Sequence, residues 1–520
     1  MSASYVSEEL LFMWLLLIAA VVASFFILQY NLTLITPSAA ALCLGIVAGT
    51  GASIAGMTST LRFSPTAFFY GLLPPIVFAA GFTLKKKDFF KNAPAIAVFA
   101  VGGTLVSTLV FGLLTYLLVV IHVVQHSALG PAPLTECMLY GALISATDPV
   151  ATLSIFSTAD VPPLLYNLVF GESVLNDAVA IVLFQTLQKS AGAPLRWAAL
   201  PLLGANFAFI GIGSMLVGVL VALPCAFVLR RFQVAADGAR RGSVELSGSV
   251  YEIALVILSA YMAYLVAEVC GLSGIVALFF TGICHAHYSY YNVTPDAQVT
   301  LRRFFEFAAF LSETFVFAYL GLQVPLLSRT AIDWGLMLTG IPLCLLARAA
   351  NIFPLSAALN ARRRIPLPRN LQLMLWSAGL RGAVAFGLVL QLRPTPGPDQ
   401  PPQEGLPAIE AATLVIVVIS TLVFGTATGP LLRHLSLEGI DDDGVAAMGY
   451  VQLHGGGVSP AAALQAVREM REGQEGGPTD TWAPSYLCSA DSDSALTARA
   501  AAPSYHPPTL QPSDSPATLP

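Results

Sequence analysis

Residues 170–184 read Phe-Gly-Glu-Ser-Val-Leu-Asn-Asp-Ala-Val-Ala-Ile-Val-Leu-Phe. The segment holds two acids inside an apolar run, and the run continues on both sides to cover 162–187. About 20 such residues cross a bilayer, and a carboxylate at its centre costs at least about 2.5–3.5 kcal/mol. Glu172 and Asp177 therefore need a reason to be there. Ser173 and Asp177 are four apart and share one helix face, while Glu172 and Asn176 share the adjacent face. Asp177 with Ser173 makes a hard, oxygen-rich site of a single negative charge, suited to a proton or a small monovalent cation, one at a time. The neighbour is Asn176 and not a second aspartate. One carboxylate that trades one proton for one cation moves no net charge, so the expected exchange is electroneutral.

Working outward, the chain contains thirteen apolar runs: 10–29, 38–56, 66–83, 93–121, 134–157, 162–187, 201–229, 251–268, 272–287, 301–326, 332–358, 368–391 and 407–432. The composition agrees. Of 520 residues, 56% are hydrophobic and 11% charged, against roughly 25% charged in a soluble domain. That excludes a soluble enzyme, a nucleic-acid binder and a disordered chain. The expected class is an all-α polytopic membrane protein. The first run lacks a basic leader and a clear cleavage site, so it is read as a helix. Seven cysteines without a CxxC pair read as small hydrophobes in helix packing.

With thirteen spans the termini lie on opposite sides. One set of loops holds fourteen basic residues, from Lys85, Lys86 and Lys87 to Arg362, Arg363, Arg364 and Arg369; the other holds five, Arg62, Lys189, Arg196, Arg329 and Arg393. The richer side is expected to be cytosolic, which puts the C-terminus there. The sequons at Asn31 and Asn292 fall on the same side and are expected to stay unmodified. Residues 433–520, rich in Pro, Ser, Gly and Asp, are expected to form a cytosolic, largely disordered tail. A short helix is expected around 459–471. The tail is a candidate regulatory or partner-binding segment.

Two spans carry break signals. In Ser145-Ala-Thr-Asp-Pro-Val150 the proline interrupts the helix and biases Asp148 toward extended backbone. Unwound backbone at mid-membrane is tolerated where it lines a cavity. The Thr147 carbonyl or hydroxyl can then bind a cation, and Asp148 can sit at a positive half-helix end. In Ser377-Ala-Gly-Leu-Arg-Gly-Ala383, two glycines bracket Leu380-Arg381, and Arg381 suits a negative helix end. One interrupted span in each half points to inverted repeats with a midplane site; spans one to six would repeat as eight to thirteen. Glu268, Glu313 and Arg348 complete the set of charges deep in the spans.

The stretches LLPPIVFAAGF (72–82), SATDPVATLSIF (145–156), FGESVLNDAVAIVLF (170–184), AEVCGLSGIVALFFTG (267–282), SETFVFAYLG (312–321) and GLRGAVAFGL (379–388) resemble sodium/proton exchangers of the monovalent cation:proton antiporter-1 family. The resemblance runs through most of 60–432. It implies inverted repeats with a core and a dimerisation domain, a homodimer, and alternating access of an elevator kind, with sodium or potassium and protons as substrates and no cofactor. It makes Asp177 the cation- and proton-binding carboxylate and Asn176 the mark of the electroneutral type. Ser173 and the Thr147 backbone complete the ion shell, with Asp148 near the crossing. Glu172 would pair with a cation, Arg348 being the first candidate; Arg381 would stabilise the second crossing; Glu268 and Glu313 would support. Ala79 stands where some members carry a polar residue in the inhibitor-sensitive segment. The LKKKDFF and HYSYYNVT stretches look most like the endosomal/Golgi and plant vacuolar branches, which favours an internal membrane over the cell surface. A cation channel without proton coupling is the alternative. It would need a continuous pore, and the chain has no filter of the TVGYG kind.

Overall fold

The computed structural model describes residues 3–30, 32, 35–54, 65–84, 86–125, 133–189, 200–239, 246–327, 332–363, 365–392, 406–454 and 459–475. No strand occurs among them. The first membrane helices are α1 (Ala3–Gln29) and α2 (Pro37–Ile54). α3 (Pro65–Ala67) and α4 (Leu73–Phe82) form one rod through a π-helical turn, Phe68–Leu72. α5 (Lys86–Ala97) and α6 (Gly103–Val120) are joined in the same way by Val98–Gly102. α7 (Pro133–Ser145) and α8 (Val150–Thr158) are separated by four non-helical residues, and α9 (Pro163–Gln188) follows intact. Then come α10 (Leu200–Ala239), α11 (Leu246–Val269), α12 (Gly274–Cys284, extended by a π turn His285–Ser289), α13 (Pro295–Gln323) and α14 (Trp334–Asn360). α15 (Arg369–Ser377) and α16 (Ala383–Gln391) form the second broken rod. α17 (Leu406–Ile419) and α18 (Gly425–His434) close the bundle, and α19 (Asp442–His454) and α20 (Pro460–Glu475) follow in the chain.

Each of the thirteen apolar runs is thus helical. Ten are long and apolar enough to cross a membrane, the broken α7–α8 rod counted as one. The other three are the short α4 rod, α12 and the broken α15–α16 pair. The chain is a multi-pass membrane protein. Helices are forced here because a backbone in hydrocarbon must satisfy its own N–H and C=O groups. Exposed apolar side chains such as Leu11, Trp14, Leu15, Ile18 and Phe25 of α1 follow from the same setting. Between the runs 251–268 and 272–287 the chain makes a tight turn with Gly271 at φ +69.

Where lipid gives no hydrophobic drive between helices, small residues let backbones close up. α2 meets α13 in this way. A Cβ added at Gly45 would lie 2.1 Å from the Ala318 carbonyl oxygen, and one at Gly321 would lie 2.1 Å from that of Leu42.

Packing continues past the boundary expected at 432/433. Leu435, Leu437, Val445 and Ala447 are buried. The Asp442 carboxylate accepts from the Leu164 N–H at 2.8 Å, at the start of α9, and Gln452 Oε1 accepts from the Arg369 N–H at 3.1 Å, at the start of α15. Low apolar content in the tail as a whole hid this short leucine cluster. A helix does cover 459–471, as part of α20. The disorder expected of 476–520, like the loop arginines Arg62, Arg196, Arg329 and Arg393, falls outside the described residues. So do Asn31 and Thr33 of the first sequon; at the second, the Asn292 amide donates to the Ala226 carbonyl at 3.2 Å.

Candidate ion site at the crossing of two broken helices

Pro149 cannot continue α7, so residues 146–149 run without helical hydrogen bonds before α8 begins. Gly379 and Gly382 do the same for residues 378–382. The two breaks touch: the Asp148 N–H donates to the Leu380 carbonyl at 2.9 Å. The Asp148 carboxylate accepts from the Val150 N–H at 2.9 Å and from the Ala383 N–H at 3.4 Å. It therefore serves the N-terminal ends of both α8 and α16, where helix dipoles favour negative charge. Arg381 answers from the other side. Its guanidinium donates to the Ser145 and Ala146 carbonyls at 3.0 and 3.3 Å, at the negative C-terminal end of α7. The Ser420 hydroxyl accepts from the Arg381 N–H at 3.2 Å and holds that break to the π turn Ser420–Phe424.

α9 passes alongside. The Ser173 hydroxyl donates to the Thr147 carbonyl. The Asn176 amide donates to the Ser145 carbonyl at 3.1 Å and to the Thr147 hydroxyl at 3.0 Å. Its oxygen accepts from the Thr104 hydroxyl at 2.8 Å. The middle of α9 is thereby stitched to the first break.

The residue after Asn176, Asp177, lines a cavity of about 300 Å³ with Asp148, Glu313 and Glu306 as the other acids. Among the described residues lining that space none is basic. Asp177 Oδ1 is buried without a hydrogen-bond partner. A carboxylate oxygen kept from water and unpaired calls for a cation or a proton. Glu306 and Glu313 lie on one face of α13, about 10 Å apart by helical rise. Glu306 also binds Arg302 at 2.9 Å, in an exposed pair. Thr83, just past α4, lines the cavity as well. The cavity thus reaches from Asp177 to Thr83 and Glu306, which are near in sequence to the basic residues at 86–91 and 302–303.

Glu172 points away from this space. Both of its carboxylate oxygens accept from Arg348, which also donates to the Leu375 carbonyl at 2.9 Å. This bidentate pair is buried and ties α9 to α14 and α15. Arg348 is thus engaged by Glu172 and not by Asp177. Ser173, Asn176 and Thr147 lie behind the cavity and do not line it. Glu268 is not brought to the site. Its carboxylate accepts from the Gly274 N–H at 2.9 Å and caps α12, because the Gly271 turn folds that helix start back onto the end of α11.

Thr104, Ser420 and Glu306 were not singled out from the sequence. A hydroxyl in a span is an ordinary residue, and only the fold supplies its partner. Glu306 gave one usable signal, its heptad spacing from Glu313.

Comparison with known proteins bears on the same region. The profile of the transmembrane sodium/hydrogen exchanger family matches residues 15–434. The chain belongs to the sodium/hydrogen exchanger family. Human sodium/hydrogen exchanger 8 is 35% identical over 437 residues, which are 82% of this chain and 71% of the relative. Rat sodium/hydrogen exchanger 9 is 38% identical over 395 residues, 74% of this chain and 58% of the relative. The chain thus spans less than two thirds of that second exchanger. Among solved structures, the sodium proton antiporter MjNhaP1 from Methanocaldococcus jannaschii superposes with a TM-score of 0.59 at 17% identity, over 83% of this chain and 99% of that one. At that identity the likeness shows the fold, and the fold of this exchanger-family chain is that of an antiporter with broken helices in its core.

Proposed function

We infer that the protein is an electroneutral antiporter that exchanges sodium or potassium for protons by alternating access around Asp177. The observation that carries this reading is the buried, unpartnered carboxylate oxygen of Asp177 on an acid-lined cavity, beside two crossing helix breaks whose charges are already matched. Asp148 and Arg381 neutralise helix ends, and Glu172 is spent on Arg348. Asp177 is left to hold either a proton or a cation. Membership of the exchanger family supports the cation:proton coupling.

In this reading a cation enters from the acid-lined cavity past Glu306 and Glu313 and meets Asp177. Ser173 lies one helical turn away, with its hydroxyl on the Thr147 carbonyl. Binding displaces the proton, which leaves through the same cavity. The neutral complex can then move its site to the other face. The side reached by the cavity is proposed to be the cytosol, from the basic residues at 86–91 and 302–303 close in sequence to its lining. The active unit is proposed to be a homodimer in an internal membrane, with lipid around the exposed apolar faces. Residues 433–520 are proposed as a cytosolic tail, its far part a docking segment for a regulator.

The test is transport in proteoliposomes. An imposed sodium or potassium gradient should drive proton movement, and Asp177→Asn should abolish it. Clamping the voltage with valinomycin should leave the rate almost unchanged. Sodium flux without proton movement would instead establish a channel.

A further inference from the structure

We propose that Thr104, on a helix with no residue lining the cavity, is a positioning residue for the exchange site, acting through Asn176. The inference rests on the reading of Asp177 and its surroundings given above.

Asn176 is 2% exposed, so water does not serve it. Its amide has two N–H groups and one oxygen. The N–H groups are used by the Ser145 carbonyl and the Thr147 hydroxyl. The oxygen depends on Thr104, its donor among the described residues, at 2.8 Å. Thr104 is itself 1% exposed. Its hydroxyl oxygen also lies within hydrogen-bond reach of the Ala100 carbonyl, four residues back. One proton is thus shared between a helix carbonyl and the Asn176 amide.

Remove that hydroxyl and the amide oxygen is a buried acceptor with no donor. The amide can then relieve itself by turning, which would set its oxygen against the Ser145 carbonyl and reverse its bond to the Thr147 hydroxyl. Thr147 is the residue whose carbonyl takes the Ser173 hydroxyl. The chain of contacts therefore runs from Thr104 through Asn176 to the two groups expected to complete the cation shell. Local backbone explains how Thr104 reaches so far. The π turn Val98–Gly102 carries one extra residue per turn and resets the face of α6. It sets Gly103 against Asn351, where an added Cβ would lie 2.4 Å from the Asn351 oxygen. The next residue, Thr104, then faces Asn176. π turns of this kind recur at functional sites.

The experiment compares Thr104→Val, which keeps shape and loses the hydroxyl, with Thr104→Ser, which keeps the hydroxyl. Purified full-length protein is reconstituted for exchange and also melted in detergent with and without sodium chloride. Loss of a buried donor predicts a sodium KM raised roughly five- to thirtyfold in Thr104→Val. The maximal rate should be little changed. Because sodium would compete less well with protons, the half-maximal pH moves in the alkaline direction. Thr104→Ser should restore both values. The sodium-induced rise in Tm should shrink in Thr104→Val and return in Thr104→Ser. In an Asn176→Ala background, Thr104→Val should weaken sodium stabilisation no further. An unchanged KM and pH profile in Thr104→Val, with only a lower maximal rate or yield, would overturn the proposal; so would Thr104→Ser behaving like Thr104→Val. Sodium stabilisation that survived in Asp177→Asn would overturn the underlying reading of the site instead, whatever Thr104 does.

Discussion

The two broken rods look alike in outline and differ in chemistry. The first, α7–α8, is broken by a proline and carries an acid; the second, α15–α16, is broken by glycines and carries a base. Each charge serves the other rod. Asp148 accepts from the Ala383 N–H, and Arg381 donates to carbonyls that end α7. A helix break strands N–H groups on one side and C=O groups on the other. One carboxylate and one guanidinium, exchanged between two breaks, satisfy several of these at once. The difference teaches why the charge set is asymmetric: the crossing consumes one acid and one base, so a third charge, Asp177, stays available for ions.

Substitutions at the crossing and around it should separate these roles. The largest effect is expected at Gly382. A Cβ there would lie 1.9 Å from Asp148 Oδ2, so Gly382→Ala should separate the two breaks and abolish exchange, read as proton flux in proteoliposomes, with loss of folded protein on size-exclusion chromatography. Next comes the neighbouring buried pair. Removing one partner leaves a charge uncompensated, so Glu172→Gln alone should destabilise by about 3–5 kcal/mol, read as a fall in Tm. Glu172→Gln with Arg348→Met should recover a large part of that loss. Asp148→Asn keeps an acceptor for the Val150 N–H and loses the charge that faces two helix ends. About 1 kcal/mol is expected from the helix-end terms, with exchange reduced and not lost. The smallest effect is at the cavity mouth. Glu306 is exposed and paired to Arg302, so Glu306→Gln should raise the sodium KM about twofold at low salt, and less at high salt as screening grows.

The sequence disclosed most of this and missed a definable part. Apolar runs located all thirteen helical segments, since span length is set by the bilayer. Proline and paired glycines located both breaks, because they act on their own backbone. The Glu172–Arg348 contact was legible because two opposite charges in hydrocarbon have few alternatives to each other. For Glu268, expected only to support, the same logic gave no partner. A helix N-terminus can satisfy a carboxylate as well as a cation can, and only the Gly271 turn reveals that one is in reach. Thr104 and Ser420 stayed hidden because a span hydroxyl usually bonds its own helix. Their long-range partners depend on how two π turns rotate the chain. The packed stretch at 435–452 was concealed by the polar composition around it.

Asp177 is the group on which the account turns, and proton release on cation binding tests it most directly. Calorimetric titration of the purified protein with sodium, in two buffers of different ionisation enthalpy, counts protons lost per ion bound. About half a proton per ion is expected at the midpoint pH and about one well below it, since the ligand must be deprotonated to bind, with no release from Asp177→Asn. Sodium binding with no proton released from the unmodified protein would contradict it.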